Sequence, residues 1–131
     1  MKKLIFVLGV VFAAGMFTAF TAMAGPFEDV IAAIKKGDVS SLSKSLDKTV
    51  EINIAGKSSS YSKAQAEIIL KDFFAKNQVK SFELIHQGEA GGGSRYGIGN
   101  LVTSGGNYRV SFFLQKKGNE LLLNEIRFES K

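Results

Sequence analysis

An α+β fold is what this sequence predicts, with helices at the front and an antiparallel sheet behind them. Three observations carry that reading. Phe27, Val30, Ile31 and Ile34 recur at i, i+3, i+4 and i+7, which is one face of a helix. Ser62 followed three residues later by Gln65 has the chemistry of a capping box ahead of a second apolar stripe. From Val79 onward the apolar period falls to two, and glycine-bearing turns cut the chain into four extended segments.

The elements follow in order. Pro26 suits the first turn of the first helix, Glu28 and Asp29 favour its positive end, and Gly37 stops it after Lys35-Lys36. Asp38 is placed to cap a second short helix whose Val39, Leu42 and Leu46 share a side. Val50, Ile52 and Ile54 alternate with Glu51 and Asn53 as a strand does. A polar loop, 55–61, leads to the Ser62 helix, which runs to about Ala75 with Ala66, Ile69, Leu70, Phe73 and Phe74 on one side. The extended segments are expected near 79–88, 94–104, 107–116 and 120–129. Ser104-Gly105-Gly106-Asn107 and Lys117-Gly118-Asn119 read as tight hairpins, because glycine takes positive φ at no steric cost. Gly88 to Gly93 is a looser turn, and Gly97-x-Gly99, inside a segment, reads as a bend in the sheet.

Residues 1–24 read as an address rather than as part of this fold. Lys2-Lys3 precede an apolar run from Leu4 to Ala14, and Ala22-Met23-Ala24 is a small-x-small cleavage signal. The expectation is an exported protein, periplasmic or secreted, whose mature domain is 25–131. An uncleaved anchor is the rival reading, since about 20 apolar residues can span a bilayer. Of the 17 basic and 12 acidic residues, Lys2 and Lys3 belong to this leader, so the mature part holds 15 against 12, a net +3. Its lysines are scattered, which argues against a nucleic-acid surface. With no cysteine and a single histidine, His86, disulfides, thiolate sites and multi-histidine metal centres are excluded. No cofactor and no metal are expected.

Ala33-x-x-x-Gly37-Asp38-x-x-x-Leu42-x-x-x-Leu46-x-x-x-Val50-x-Ile52, the Ser62 helix with Phe73-Phe74, and the long terminal hairpins together resemble the nuclear transport factor 2-like superfamily. The chain is similar to its small exported bacterial members classed as domains of unknown function. The resemblance implies a cone-shaped, cystatin-like arrangement: a strongly curved antiparallel sheet around the long helix, often with a pocket at the open end. Members include enzymes, adaptors, ligand-binding domains and dimerising modules, so fold does not fix function.

Uninterrupted alternation assigns two sheet faces. The helix-facing side takes Phe82, Leu84, His86, Tyr96, Ile98, Asn100, Val102, Tyr108, Val110, Phe112, Leu114, Leu122, Asn124, Ile126 and Phe128. A ligand pocket is expected there, lined by Tyr61, Phe73, His86, Tyr96, Asn100, Tyr108 and Asn124; the plainer alternative is that these polar groups sit at wetted strand ends. The outer side takes Glu83, Ile85, Arg95, Leu101, Arg109, Phe113, Leu121, Leu123, Glu125 and Arg127. Its apolar members, Ile85, Leu101, Phe113, Leu121 and Leu123, point to a covered face. A homodimer through these residues with Arg95, Arg109 and Arg127 is expected, with ion pairing to Glu83, Glu125 and Glu129 as the plainer role of the arginines.

Catalytic chemistry is largely missing from the sequence. No acid falls on the helix-facing side of the last four segments, Asp38 is explained by capping, and a lone histidine is more often structural. The Gly88–Gly93 stretch lacks the Lys-Ser/Thr and helix context of a phosphate loop. The reading is a non-catalytic domain that binds a small ligand or a protein partner as a homodimer. The alternatives are an enzyme of the same fold with His86 as its base, and a purely structural dimerisation module.

Overall fold

The computed structural model describes residues 25–131, so the leader and its cleavage after Ala24 lie outside the described residues. The order is α1 (Pro26–Lys36), α2 (Val39–Ser43), β1 (Leu46–Ile54), β2 (Lys57–Ser62), α3 (Lys63–Lys76), then β3 (Val79–Glu89), β4 (Arg95–Thr103), β5 (Gly106–Lys117) and β6 (Glu120–Ser130). All six strands form one open, curved sheet in the order β2-β1-β6-β5-β4-β3. Every neighbouring pair is antiparallel except β1 with β6, which is parallel. The helices cover one face.

Local chemistry sets the helix ends. Gly37 closes α1 with φ 62°, and the N–H groups of Gly37 and Asp38 donate to Ile34 O (3.1 Å) and Ala33 O (2.9 Å); a left-handed residue at this point satisfies carbonyls that the helix leaves free. Asp38 caps α2, its carboxylate accepting from Ser41 N at 3.2 Å and Ser41 Oγ at 2.7 Å. At α3 the expected box is present: Gln65 N donates to Ser62 Oγ, and Ser62 N donates to Gln65 Oε1, both at 3.3 Å. Two expectations need correction. Leu46 does not continue α2 but opens β1, where it is buried all the same. The loop 55–61 contains a strand: Ala55-Gly56 turn the chain, Asn53 Oδ1 accepts from Gly56 N (3.2 Å), and β2 pairs back on β1. Its Lys57-Ser58-Ser59-Ser60 is exposed on both faces, so no apolar alternation betrays it.

Aromatic rings fill the space between helices and sheet. α1 buries Phe27, Val30 and Ile34; α3 buries Leu70, Phe73 and Phe74; the sheet contributes Phe82, Leu101, Val110, Phe112, Leu114, Leu123, Ile126 and Phe128. Phe73 stacks on Phe128 with ring centroids 4.1 Å apart, and Phe27 meets Phe112 at 5.4 Å. Rings at these separations add to the area they bury.

The sheet faces differ from the expected assignment in three places. In β4 the inward residues are Gly97, Gly99, Leu101 and Thr103, paired with Phe112, Val110, Tyr108 and Gly106. Tyr96, Ile98, Asn100 and Val102 therefore point outward. At Gly97 and Gly99 the inner face has no room for a side chain: a β-carbon on Gly97 would lie 2.5 Å from the Phe112 ring, and one on Gly99 2.5 Å from the Phe82 ring. In β6, Leu123 pairs with Leu114 and Glu125 with Phe113, so Asn124 is an extra residue. That bulge resets the phase, turning Leu121 and Leu123 inward and Leu122 outward. In β3, Leu84 pairs with Gly99 and His86 with Ile98, leaving Ile85 as the extra residue and His86 on the outer face.

These faces make a direct test in urea denaturation. Leu101→Ala is expected to cost about 2–5 kcal/mol, and Gly99→Ala about 1–3 kcal/mol through overpacking. Ile98→Ala, next to Gly99 but on the outer face, is expected to cost less than about 1 kcal/mol.

Candidate functional site: a cleft at the mouth of the sheet

Where α3 ends, the sheet and helix part. The cleft between them encloses about 330 Å³ and is lined by Ile52 and Ile54 of β1, Lys57 and Tyr61 of β2, Ile69, Asp72, Phe73 and Lys76 of α3, Asn77, and Tyr108 of β5. Its floor is apolar and its rim is polar. One side of the rim is fixed by Asn77, whose side chain is buried. Asn77 Oδ1 accepts from Tyr108 Oη (3.0 Å) and Thr103 Oγ1 (3.3 Å), while its Nδ2 donates to Phe73 O (2.9 Å). The β4–β5 turn presses against this amide, and a β-carbon on Gly105 would lie 2.8 Å from Lys76 O. Tyr108 is also held edge-on against Phe73, ring centroids 5.2 Å apart. The tyrosine hydroxyl is thus presented at a set position beside an apolar surface, the arrangement of a small-molecule site.

Of the seven expected pocket residues, Tyr61, Phe73 and Tyr108 meet in this cleft. The other four do not. His86 and Tyr96 lie on the outer face, sharing a hydrogen bond between His86 Nε2 and Tyr96 Oη at 3.1 Å. Asn100, also outside, accepts from Lys131 Nζ at 3.0 Å, and Asn124, at the bulge, donates to Gln115 Oε1 at 2.7 Å. A base at His86 acting inside the cone is ruled out by this placement. Ile52 and Ile54, which belong to the cleft, were visible as the inner residues of a strand. Asn77 carried no signal, since its role depends on Thr103 and Tyr108 far along the chain.

The expected dimer residues also divide. Leu101 and Leu123 are fully buried in the core and Leu121 packs against it. Arg95 turns to the helix side, its guanidinium 4.0 Å over the Phe27 ring and 3.9 Å from Glu28. Ile85, Phe113, Arg109 and Arg127 do face outward. Tyr96, Ile98, Val102 and Leu122 join them there, all half-buried. Tyr96, Ile98 and Phe113 border a depression of about 200 Å³ rimmed by Ser111, Glu125 and Arg127. Among the described residues no group of three or more histidine or acidic side chains could hold a metal ion.

The electrostatics concentrate elsewhere, at the opposite end of β1. Asp47, whose side chain is almost wholly enclosed, accepts from Lys117 Nζ at 2.7 Å and from Lys48 N at 2.7 Å. The lysine's hydrogen bond holds the carboxyl below the ordinary aspartate range, against the desolvation that would raise it.

Helices packed on one face of a six-stranded, open, curved sheet give the chain a nuclear-transport-factor-2-like fold. An NTF2-like protein from Cytophaga hutchinsonii shares that fold, with a TM-score of 0.60 at 12% identity over 81% of this chain and 93% of the other. Residues 27–129 match the family DUF4783, described as a domain of unknown function, and the chain belongs to that family. It is 36% identical to a DUF4783 family protein from Bacteroides uniformis, with a TM-score of 0.76 over 79% of this chain and 95% of that one. A Bacteroides ovatus member is similar at 37% identity and a TM-score of 0.76, covering 79% and 93% of the two chains. No curated protein matches this chain.

The Asp47–Lys117 pair gives this end of the sheet an acid sensitivity. A carboxyl depressed in the folded state stabilises the fold above the ordinary aspartate range, and that contribution is lost as pH falls through the depressed value. Lys117→Met is expected to cost about 1–2 kcal/mol at pH 7 and to move the acid-unfolding midpoint upward, followed by circular dichroism. The two proteins converge in stability once Asp47 is protonated in both.

Proposed function

We propose that this domain is a non-catalytic binding module, exported through its residue 1–24 leader, that takes a small, largely apolar molecule with one hydrogen-bonding end in the mouth cleft. The observation that carries the reading is the pairing of the isoleucine and phenylalanine floor with the Tyr108 hydroxyl held by Asn77. Aromatic rings occupy the deeper part of the cone, so the rim is where a ligand has room. Export is supported by the Lys2-Lys3, apolar, Ala22-Met23-Ala24 order. Among the described residues no helix is long and apolar enough to cross a membrane.

A second reading stands on the outer face. Tyr96, Ile98, Val102, Phe113 and Leu122 leave apolar area half exposed there, and Ile85 is 47% exposed. Self-association through this face as a two-fold dimer covers it with one patch used twice. The exposed Arg109 and Arg127 beside Glu129 and Glu125 allow reciprocal ion pairs at its rim.

Native mass spectrometry of protein purified from its own host is expected to reveal a bound small molecule that Ile69→Arg removes without unfolding the domain. An empty cleft in the wild-type protein contradicts the proposal. For the outer face, sedimentation equilibrium is expected to show a dimer for the wild type and a monomer for Phe113→Glu; an unchanged mass removes the dimer.

A further inference from the structure

We propose a second, independent site: a cleft for the phosphate groups of a polyanionic phosphoester, at the end of α3 remote from the mouth. Four lysines from four separate segments line one depression of about 400 Å³. Lys44 closes α2, Lys48 lies in β1, Lys63 is the first residue of α3, and Lys117 ends β5. Only two acids join them, Asp47 and Glu120. Asp47 is already engaged by Lys117. Among the described residues Lys44, Lys48 and Lys63 make no ion pair.

The gathering of four lysines on one depression is what points to a ligand. On the exposed side of α3, by comparison, Lys71 pairs with Glu67 and Lys76 with Asp72. Here the unpaired cations converge on one concavity, where like charges repel and low-dielectric walls focus their field. An anion with several charges relieves that repulsion. The Asp47–Lys117 bridge holds the β5–β6 hairpin against the start of β1 and so keeps the walls in place. Ammonium groups act as point charges suited to phosphate oxygens without the fixed fork an arginine imposes, and none of the three arginines lines the cleft. Half-buried Leu122 supplies apolar surface beside the lysines, able to cover the non-phosphate part of the ligand. A free phosphoester and a phospholipid headgroup share this chemistry.

Inorganic tripolyphosphate, titrated calorimetrically into the purified protein at low salt, is the probe for the first source. Vesicles of phosphatidylglycerol, against phosphatidylcholine, are the probe for the second. Saturable one-to-one binding of tripolyphosphate is expected, weakened at least tenfold in Lys48→Gln/Lys63→Gln. A control with the same loss of charge, Lys35→Gln/Lys80→Gln, is expected to bind within twofold of wild type. Co-sedimentation with phosphatidylglycerol vesicles alone, lost in the first variant and kept in the second, identifies a headgroup as the source. No binding to either probe, or equal weakening in both variants, overturns the proposal, the latter because net charge then explains everything. Circular dichroism confirms that each variant is folded. Because Lys48 and Lys63 lie outside the mouth cleft, failure here leaves the mouth-cleft reading untouched, and the reverse also holds.

Discussion

Close approach between the sheet and the phenylalanine rings packed on it is the constraint from which the rest of the structure follows. Phe82 and Phe112 lie against β4 where Gly97 and Gly99 present no side chain. With those two positions empty, Phe112 packs against Phe27 of α1, while Phe128 packs against Phe73 and Phe74 of α3. Interiors are packed like organic crystals, and a layer that needs glycines opposite its rings has no slack to hold a ligand.

That packing moves binding chemistry to the edges. α3 is 14 residues long, about 21 Å at 1.5 Å per residue, and a cleft opens beside each of its ends. The cleft near Lys76 is bordered by Ile52 and Ile54 of β1, and the one near Lys63 by Leu46, Asp47 and Lys48. The two clefts differ in kind. One couples an apolar floor to a tyrosine hydroxyl that Asn77 orients, while the other gathers four lysines with two acids, of which Asp47 is engaged by Lys117.

Bulges at Asn124 in β6 and Ile85 in β3 decide which side chains belong to which surface. One extra residue in β6, Asn124, carries Leu121 and Leu123 to the core while leaving Ile126 and Phe128 there as well. One extra residue in β3, Ile85, sends His86 to the outer face, where its imidazole meets the Tyr96 hydroxyl. Bulges bend a strand and sharpen its twist, so the same two residues that exchange the faces also help the sheet curve around its helices.

The sequence alone determined what local chemistry governs. The helix caps at Gly37, Asp38 and Ser62, the hairpins at Gly105 and Gly118, and the helix-then-sheet order all depend on neighbours within a few residues, and each was legible. The strands past Val79 were legible too, because period two survives whichever face is buried. Which face that is, and hence where His86, Tyr96, Asn100 and Asn124 stand, was decided by tertiary structure. A bulge shifts every side chain after it by one place, and an inward glycine is recognisable only once the ring that excludes its β-carbon is in position. Asn77 and Asp47 make the same point: each is defined by a partner at least 26 residues away in the chain, Thr103 and Tyr108 for one, Lys117 for the other, and nothing in their own neighbourhoods announces it.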